Sequence, residues 1–234
     1  MPRILVAIIR HAHYNQLLDT PSAHQPFPIT ANGEAEATEA SQELKAFIQE
    51  NQLTLCPSID SSQLLRAWQT AKILSDCLQD CFTQAPSITC YDDLAERSVG
   101  SAANLTVKTI EEIIAGDPRY DNLPPNWKSN SHFKLPLQGA ESLLEAGERV
   151  AKHLVKQAND LKANVQEDTL KLVVGHGAAF RHAAHHMGIL DLDRVAQLSM
   201  YHARPVFLEL SDDGQWSHVA GEWKVRSKHT QYTD

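Results

Sequence analysis

At 234 residues the chain is long enough for one substantial core and compels no second, so residues 1–234 read as a single domain. A hydrophobic fraction of 42% and a charged fraction of 21% are ordinary for a globular protein, and no apolar run approaches a membrane span, which argues against a membrane role. The net charge of −8 argues against generic nucleic-acid binding, so an anionic substrate would need a local cationic pocket.

In chain order, Ile4-Leu5-Val6-Ala7-Ile8-Ile9 has the length and β-branched content of a buried strand, and it ends in Arg10-His11-Ala12. No apolar h-region with a cleavage site stands before it, so the cytoplasm is the expected location. Residues 13–28 contain proline and are too irregular for an element; they are expected to rim a site. Thr30 suits an N-cap, and Ala35, Ala40, Leu44, Phe47 and Ile48 form an apolar stripe on a helix ending near Asn51. Residues 58–61 read as a strand end. The helix that follows would turn Leu64, Leu65, Trp68, Ala71, Leu74 and Leu78 to the sheet, with Arg66 in its first turn. There a guanidinium and a helix N-terminus point at the same anion.

Residues 88–91 form another short strand. Residues 98–138 hold Gly100, Gly116, Pro118, Pro124, Pro125, Trp127 and Pro136 around one helical stretch, 106–115, and read as a lid-like insertion. Residues 140–161 are a long amphipathic helix with Leu143, Leu144, Val150, Leu154, Val155, Ala158 and Leu161 inward. A strand at 169–174 then ends in Gly175-His176-Gly177, before a helix at 178–187. A strand at 205–210 precedes an apolar-poor tail, of which 226–234 is expected to be flexible. Helices alternating with β-rich runs predict an α/β fold, a three-layer α/β/α sandwich with a mostly parallel central sheet.

The tripeptide Arg10-His11-Ala12 alone fits a strand closed by two polar residues as well as it fits a nucleophile. A second histidine in the same context, His176, changes the weighing. If both strands are parallel in one sheet, the two histidines share one crevice at the carboxyl edge, and the flanking glycines admit a ligand close to the backbone. His182 and His186 stand four apart on a predicted helix, but Ala183 replaces the glutamate of a zinc-protease motif, so surface or packing roles fit better than metal. The four cysteines, Cys56, Cys77, Cys81 and Cys90, form no metal or redox spacing and read as buried residues.

These segments resemble the histidine phosphatase superfamily, in the phosphoglycerate mutase-like branch. Its Arg-His-Gly is similar to Arg10-His11-Ala12, and its Leu-Thr-x-x-Gly stretch to Ile29-Thr30-Ala31-Asn32-Gly33. Its Ser-x-Leu-x-Arg-Ala-x-Gln-Thr-Ala segment is similar to residues 62–71, Leu-x-Glu-Arg to Leu94-Ala95-Glu96-Arg97, Gly-x-Glu-Ser to Gly139-Ala140-Glu141-Ser142, and His-Gly to His176-Gly177. Ala12 replaces the usual glycine, and Leu17 stands where an asparagine is common. Lys128-Ser129 and Ala178 replace an arginine pair and an asparagine of the mutases, which counts against a phosphoglycerate mutase.

The resemblance implies a phosphohistidine formed on His11, with Arg10, Arg66 and His176 stabilising the phosphoryl group and Glu96 as the acid that protonates the leaving group. A carboxyl beside a dianionic phosphate is harder to ionise, which suits that role. Asn15, Arg97, Ser98 and Gly177 are candidate substrate contacts, Arg181 and His202 are further secondary candidates, and Arg97 and Arg181 fit structural ion-pair roles equally well. No metal or cofactor is required. The expected partner is a small phosphorylated metabolite, neither nucleic acid nor membrane, and the oligomeric state stays open. The alternatives are a phosphomutase, a phosphoprotein phosphatase, and a binding module of the same fold without catalysis.

Overall fold

The computed structural model describes residues 2–21 and 24–226. Its centre is the strand β1 (Ile4–Arg10), every residue of which is buried. Leu5, Ala7 and Ile9 enter one core, while Ile4, Val6 and Ile8 enter another on the opposite face. A strand with both faces covered has no polar alternation, which is why its sequence is a continuous apolar run.

On the first face lie α1 (Ala31–Glu50) and α2 (Leu65–Cys77), supplying Ala37, Ala40, Leu44 and Ile48, and Ala67, Ala71 and Leu74. On the second lie α4 (Leu143–Asn164) and α5 (Gly177–His186), supplying Val150, Leu154 and Ala158, and Ala179, Phe180 and Ala183. The expected sandwich is therefore present, with helices on both faces of the sheet.

The sheet holds β2 (Thr54–Leu55), β3 (Ser58–Ser62), β4 (Ser87–Tyr91), β5 (Thr169–Gly175), β7 (Pro205–Leu210) and β8 (Trp216–Ala220) beside β1, in the order β4-β3-β5-β1-β7-β8, with β2 also on β5. Pairings from β4 through β1 are parallel, and β7 and β8 run antiparallel. A separate two-stranded ribbon joins β6 (Leu198–Met200), which follows α6 (Leu192–Gln197), to β9 (Trp223–Val225).

The caps agree with the residues. Thr30 accepts from the Gly33 amide at 3.1 Å, and Asn51 closes α1. Ser142 and Glu145 form a capping box on α4, which starts that helix at Leu143 rather than at 140 because both orphan amides are satisfied there.

Several sequence expectations are corrected. Ala35 is exposed, and Ala37 with the partly polar Ser41 takes the inward face of α1. In α2, Leu65 and Trp68 are each 39% exposed, while Arg66, Ala67, Thr70 and Ala71 face inward. Buried polar residues occupy the face that an apolar stripe would claim. Leu144, Val155 and Leu161 are only half-buried, while Ala146, Gly147 and His153 are buried instead. Cys77 and Cys90 are exposed, and only Cys56 is buried. The tail after residue 210 forms β8 and β9, and Arg226 is bonded to Gln197 O and Leu198 O at 2.9 and 2.8 Å; residues 227–234 of the expected flexible tail lie outside the described residues.

Residues 98–138 contain α3 (Val107–Gly116), capped by Thr106, and pack a small core of their own from Val99, Ala102, Ile110, Trp127 and Leu135. Trp127 donates its indole N–H to Glu111 at 3.1 Å. The Val107 amide reaches Asp19 O at 2.8 Å, tying this segment to the 13–28 loop.

Among the described residues, no helix is long and apolar enough to cross a membrane.

Candidate active site

Arg10 faces Gly175 across the β1–β5 register, and one residue further the His11 amide donates to Gly175 O at 2.9 Å. The next residue on β5's side is His176, the N-cap of α5. Adjacent parallel strands thus deliver the two histidines together, with ring centroids 5.1 Å apart.

His11 is buried, and its Nδ1 lies 2.8 Å from Ala12 O. A carbonyl only accepts, so Nδ1 carries the hydrogen and the lone pair is on Nε2. Burial, reinforced by Arg66, His176 and Arg10, holds the ring well below the ordinary histidine value of 6.5. The imidazole is therefore neutral at pH 7, the form that can attack phosphorus. The turn after it is fixed by Thr70, whose hydroxyl accepts from the Ala12 amide at 3.0 Å and donates to Arg66 O at 2.7 Å.

Arg66 is fully buried in the first turn of α2. It donates to Gln25 O at 2.8 Å and to His176 Nδ1 at 3.2 Å, and its guanidinium lies 4.6 Å from the centre of the Tyr14 ring. Because Arg66 can only donate, His176 Nδ1 accepts, and Nε2–H donates to Ser62 Oγ at 2.9 Å. Burial and then Arg66 hold His176 neutral as well. Arg10 donates to Met200 O at 3.0 Å. A Cβ at Gly177 would stand 3.1 Å from the Arg10 side chain, so a bare backbone lets the helix start come up against that arginine.

Glu96 is buried near Arg66, with Oε1 accepting from the Arg97 amide at 2.9 Å. His24 donates to Glu96 O at 3.3 Å from the other side. A cleft of about 660 Å³ opens beside Arg10 and His202, lined by Glu36, Glu39 and Glu43 and also by Arg204 and Lys224.

The sequence profile of the family described as "Histidine phosphatase superfamily (branch 1)" matches residues 6–222. The chain belongs to the histidine phosphatase superfamily. Among solved structures, Bacillus stearothermophilus YhfR is 22% identical, with a TM-score of 0.69 over 95% of this chain and 98% of its own. A mycobacterial glucosyl-3-phosphoglycerate phosphatase is 18% identical, with a TM-score of 0.64 over 96% of this chain and 97% of its own. The alpha-ribazole phosphatase from Shigella flexneri is 15% identical, with a TM-score of 0.66 over 92% and 94%. At such identities the likeness is one of fold. No curated protein sequence matches the chain.

Of the residues that the superfamily's motifs single out, Arg10, His11, Arg66 and His176 meet through the contacts above, with Glu96 near Arg66. The secondary candidates separate. Arg97 is buried between the charges of Glu96 and Glu141. Ser98 is engaged in the scaffold: its hydroxyl accepts from the Gly100 amide at 3.0 Å, and its amide donates to Glu141 at 3.1 Å. Asn15 is exposed, held by its amide to Pro28 O at 3.1 Å. Arg181 is structural, donating to Gly177 O at 3.2 Å, Val195 O at 2.9 Å and Leu198 O. His202 stands nearer the chemistry, its ring 5.8 Å from that of His11. His182 is a packing residue, with Nδ1 on Ala178 O at 2.7 Å and Nε2 on Ser131 Oγ at 3.0 Å.

Tyr14, His24 and Gln25 touch this machinery and are not singled out by the sequence, whereas Ser62 and Thr70 stand at matched positions of the 62–71 segment without a role assigned to them. Thr70 carried a signal, being one helical turn after Arg66 on the face shared with Ala67 and Ala71. Tyr14, His24 and Gln25 lie in a loop, where no periodicity marks them.

Proposed function

We propose that this chain is a phosphomonoesterase that hydrolyses a small phosphorylated metabolite through a phosphohistidine on His11. The observation that carries the reading is the state of that ring: Nδ1–H on Ala12 O, Nε2 holding the lone pair, and neutrality maintained beside Arg10, Arg66 and His176. Supporting it, one neighbouring structure, 18% identical with a TM-score of 0.62, is a mycobacterial glucosyl-3-phosphoglycerate phosphatase with inorganic phosphate.

The steps balance without an external co-reactant. Nε2 attacks phosphorus as the ester P–O bond breaks, and the leaving oxygen takes the proton of the Glu96 carboxyl. The Glu96 carboxylate then removes a proton from water, whose oxygen attacks phosphorus as the P–N bond breaks. Inorganic phosphate departs and His11 is neutral again. Arg10 and Arg66 balance the charge spread over the equatorial oxygens, with His176 beside them. Since fixed guanidiniums perform this task, turnover is expected to survive chelators.

On this reading residues 1–234 act as one domain, with 98–138 as a lid that selects the substrate. A mutase is disfavoured because the buried Ala178 presents only a methyl group where mutases place an asparagine.

The test is a screen of phosphomonoesters, with p-nitrophenyl phosphate included and His11→Ala as the control. Wild-type turnover, loss of roughly 10⁴-fold or more in His11→Ala, and a base-stable, acid-labile phosphoryl label on the wild type alone are expected. Full turnover by His11→Ala would remove the basis of the reading.

A further inference from the structure

Glu96 stands in no helix or strand. The chain leaves β4 through the 3-10 turn Asp92–Leu94 and reaches Glu96 after Ala95. Leu94 is buried and anchors the turn by packing, but the polar backbone around it has to be held by other groups.

Arg149, on α4, holds the side before Glu96. Its Nη1 donates to Asp93 O at 2.8 Å and to Ala95 O at 3.0 Å, with Asp92 O at 3.5 Å beside them. Through Nε and Nη2 the same guanidinium forks onto the Glu141 carboxylate at 2.9 and 2.8 Å. Paired contacts of this kind fix the plane of a guanidinium, so the carbonyls that precede Glu96 are referenced to α4.

Glu141 holds the side after it. The Ser98 amide donates to Glu141 Oε2 at 3.1 Å, and the Glu141 amide donates to Ser98 O at 2.9 Å. Burial pushes the Glu141 carboxyl up, but the Arg149 bonds, with the Ser98 amide and His24, outweigh it and keep the group below its ordinary value of 4.5. The carboxylate is therefore ionised at neutral pH. The two side chains are 20% and 25% exposed, so salt screens this pair less than one on the open surface. Between its two attachments lies Glu96, whose own carbonyl takes His24 at 3.3 Å.

We propose that Arg149 and Glu141 are a positioning pair for Glu96, setting the place from which its carboxyl hands a proton to the leaving oxygen. Neither is a catalytic residue; both act through the backbone on either side of Glu96. This role depends on the phosphatase reading, with Glu96 as its acid. Displacing a reacting group by about 1 Å can cost on the order of 10²-fold in rate. That loss should appear only where the proton is needed: an alkoxide requires one to depart, and p-nitrophenolate does not.

The experiment uses the full chain and compares kcat/KM for propyl phosphate and p-nitrophenyl phosphate. That quantity reports phosphoryl transfer to His11 rather than the later release of phosphate. The variants are R149M and E141Q, with R149K replacing R149M if circular dichroism shows that it fails to fold, and E96Q as the reference. A fall of tenfold or more on propyl phosphate is expected in both, with p-nitrophenyl phosphate within twofold. Combined with E96Q, R149M should lower propyl phosphate turnover no further than E96Q alone. A pair that only braces the fold would lower both esters alike. That result, no change in either ester, or a further loss in the combined variant overturns the positioning role and leaves the phosphatase reading standing. Turnover of neither ester by the wild type removes the phosphatase reading, and the positioning role falls with it.

Discussion

Around His11 four groups are placed by regular elements: the ring stands one residue past β1, β5 accepts its amide, α2 presents Arg66, and the start of α5 presents His176. Residues 98–138 are built otherwise, with one ten-residue helix and short turns packed on their own small core around Trp127. The positions proposed to hold the nucleophile and its clamp sit at strand ends and helix starts, which two large cores fix. The segment proposed to choose the substrate has a separate core, so it can vary without disturbing the chemistry.

Breaking one region while leaving the other intact tests that division. Trp127→Ala should cost about 3–5 kcal/mol, as for other buried tryptophans, yet that loss should stay local. Hydrogen exchange is expected to accelerate across 99–140 while β1 and β5 keep their protection; equal acceleration in both would show one cooperative unit.

Arg66→Lys attacks the other side. A lysine keeps the charge but cannot serve Gln25 O and His176 Nδ1 together with a planar fork, so kcat should fall by about 10²–10³. Amide protection of 99–140 should not change. A variant with near-normal kcat would show that Arg66 positions the loop rather than the phosphate.

A third expectation is shared between the regions. His11 and His176 are depressed well below 6.5, chiefly by burial, and His182 is depressed to about 3. As pH falls below 6.5 the unfolded chain binds protons at these rings that the folded chain does not, so stability falls with falling pH. Each ring contributes up to about 1.4 kcal/mol per pH unit while it stays neutral in the fold, and His182 ceases to contribute near pH 3. Denaturant midpoints at pH 7, 6 and 5 measure the slope; a flat profile would mean that these histidines titrate normally.

What could be read from the residues follows the same division. The runs 4–9 and 169–174 are buried on both faces, so apolar sequence, broken in the second by Thr169 and Lys171, marks them, and the histidines after them locate the corner. The face of α2 was misassigned because Arg66 and Thr70 are buried for their polar atoms, and a rule that counts apolar residues turns the helix toward Leu65 and Trp68. In β8, Ser217 and His218 interrupt the alternation on an edge strand, which made it look like tail. The core of 98–138 escaped because Val99, Ile110, Trp127 and Leu135 come from turns and one short helix, with no common period.

Thr70 has a further consequence. Its single hydroxyl bonds both the turn after the His11 ring and the backbone of Arg66. The proposed nucleophile and its clamp are therefore referenced to one atom. If α2 shifts as the protein breathes, both partners drift with it, and the span between them, which a phosphoryl group must fit, changes less than either position does.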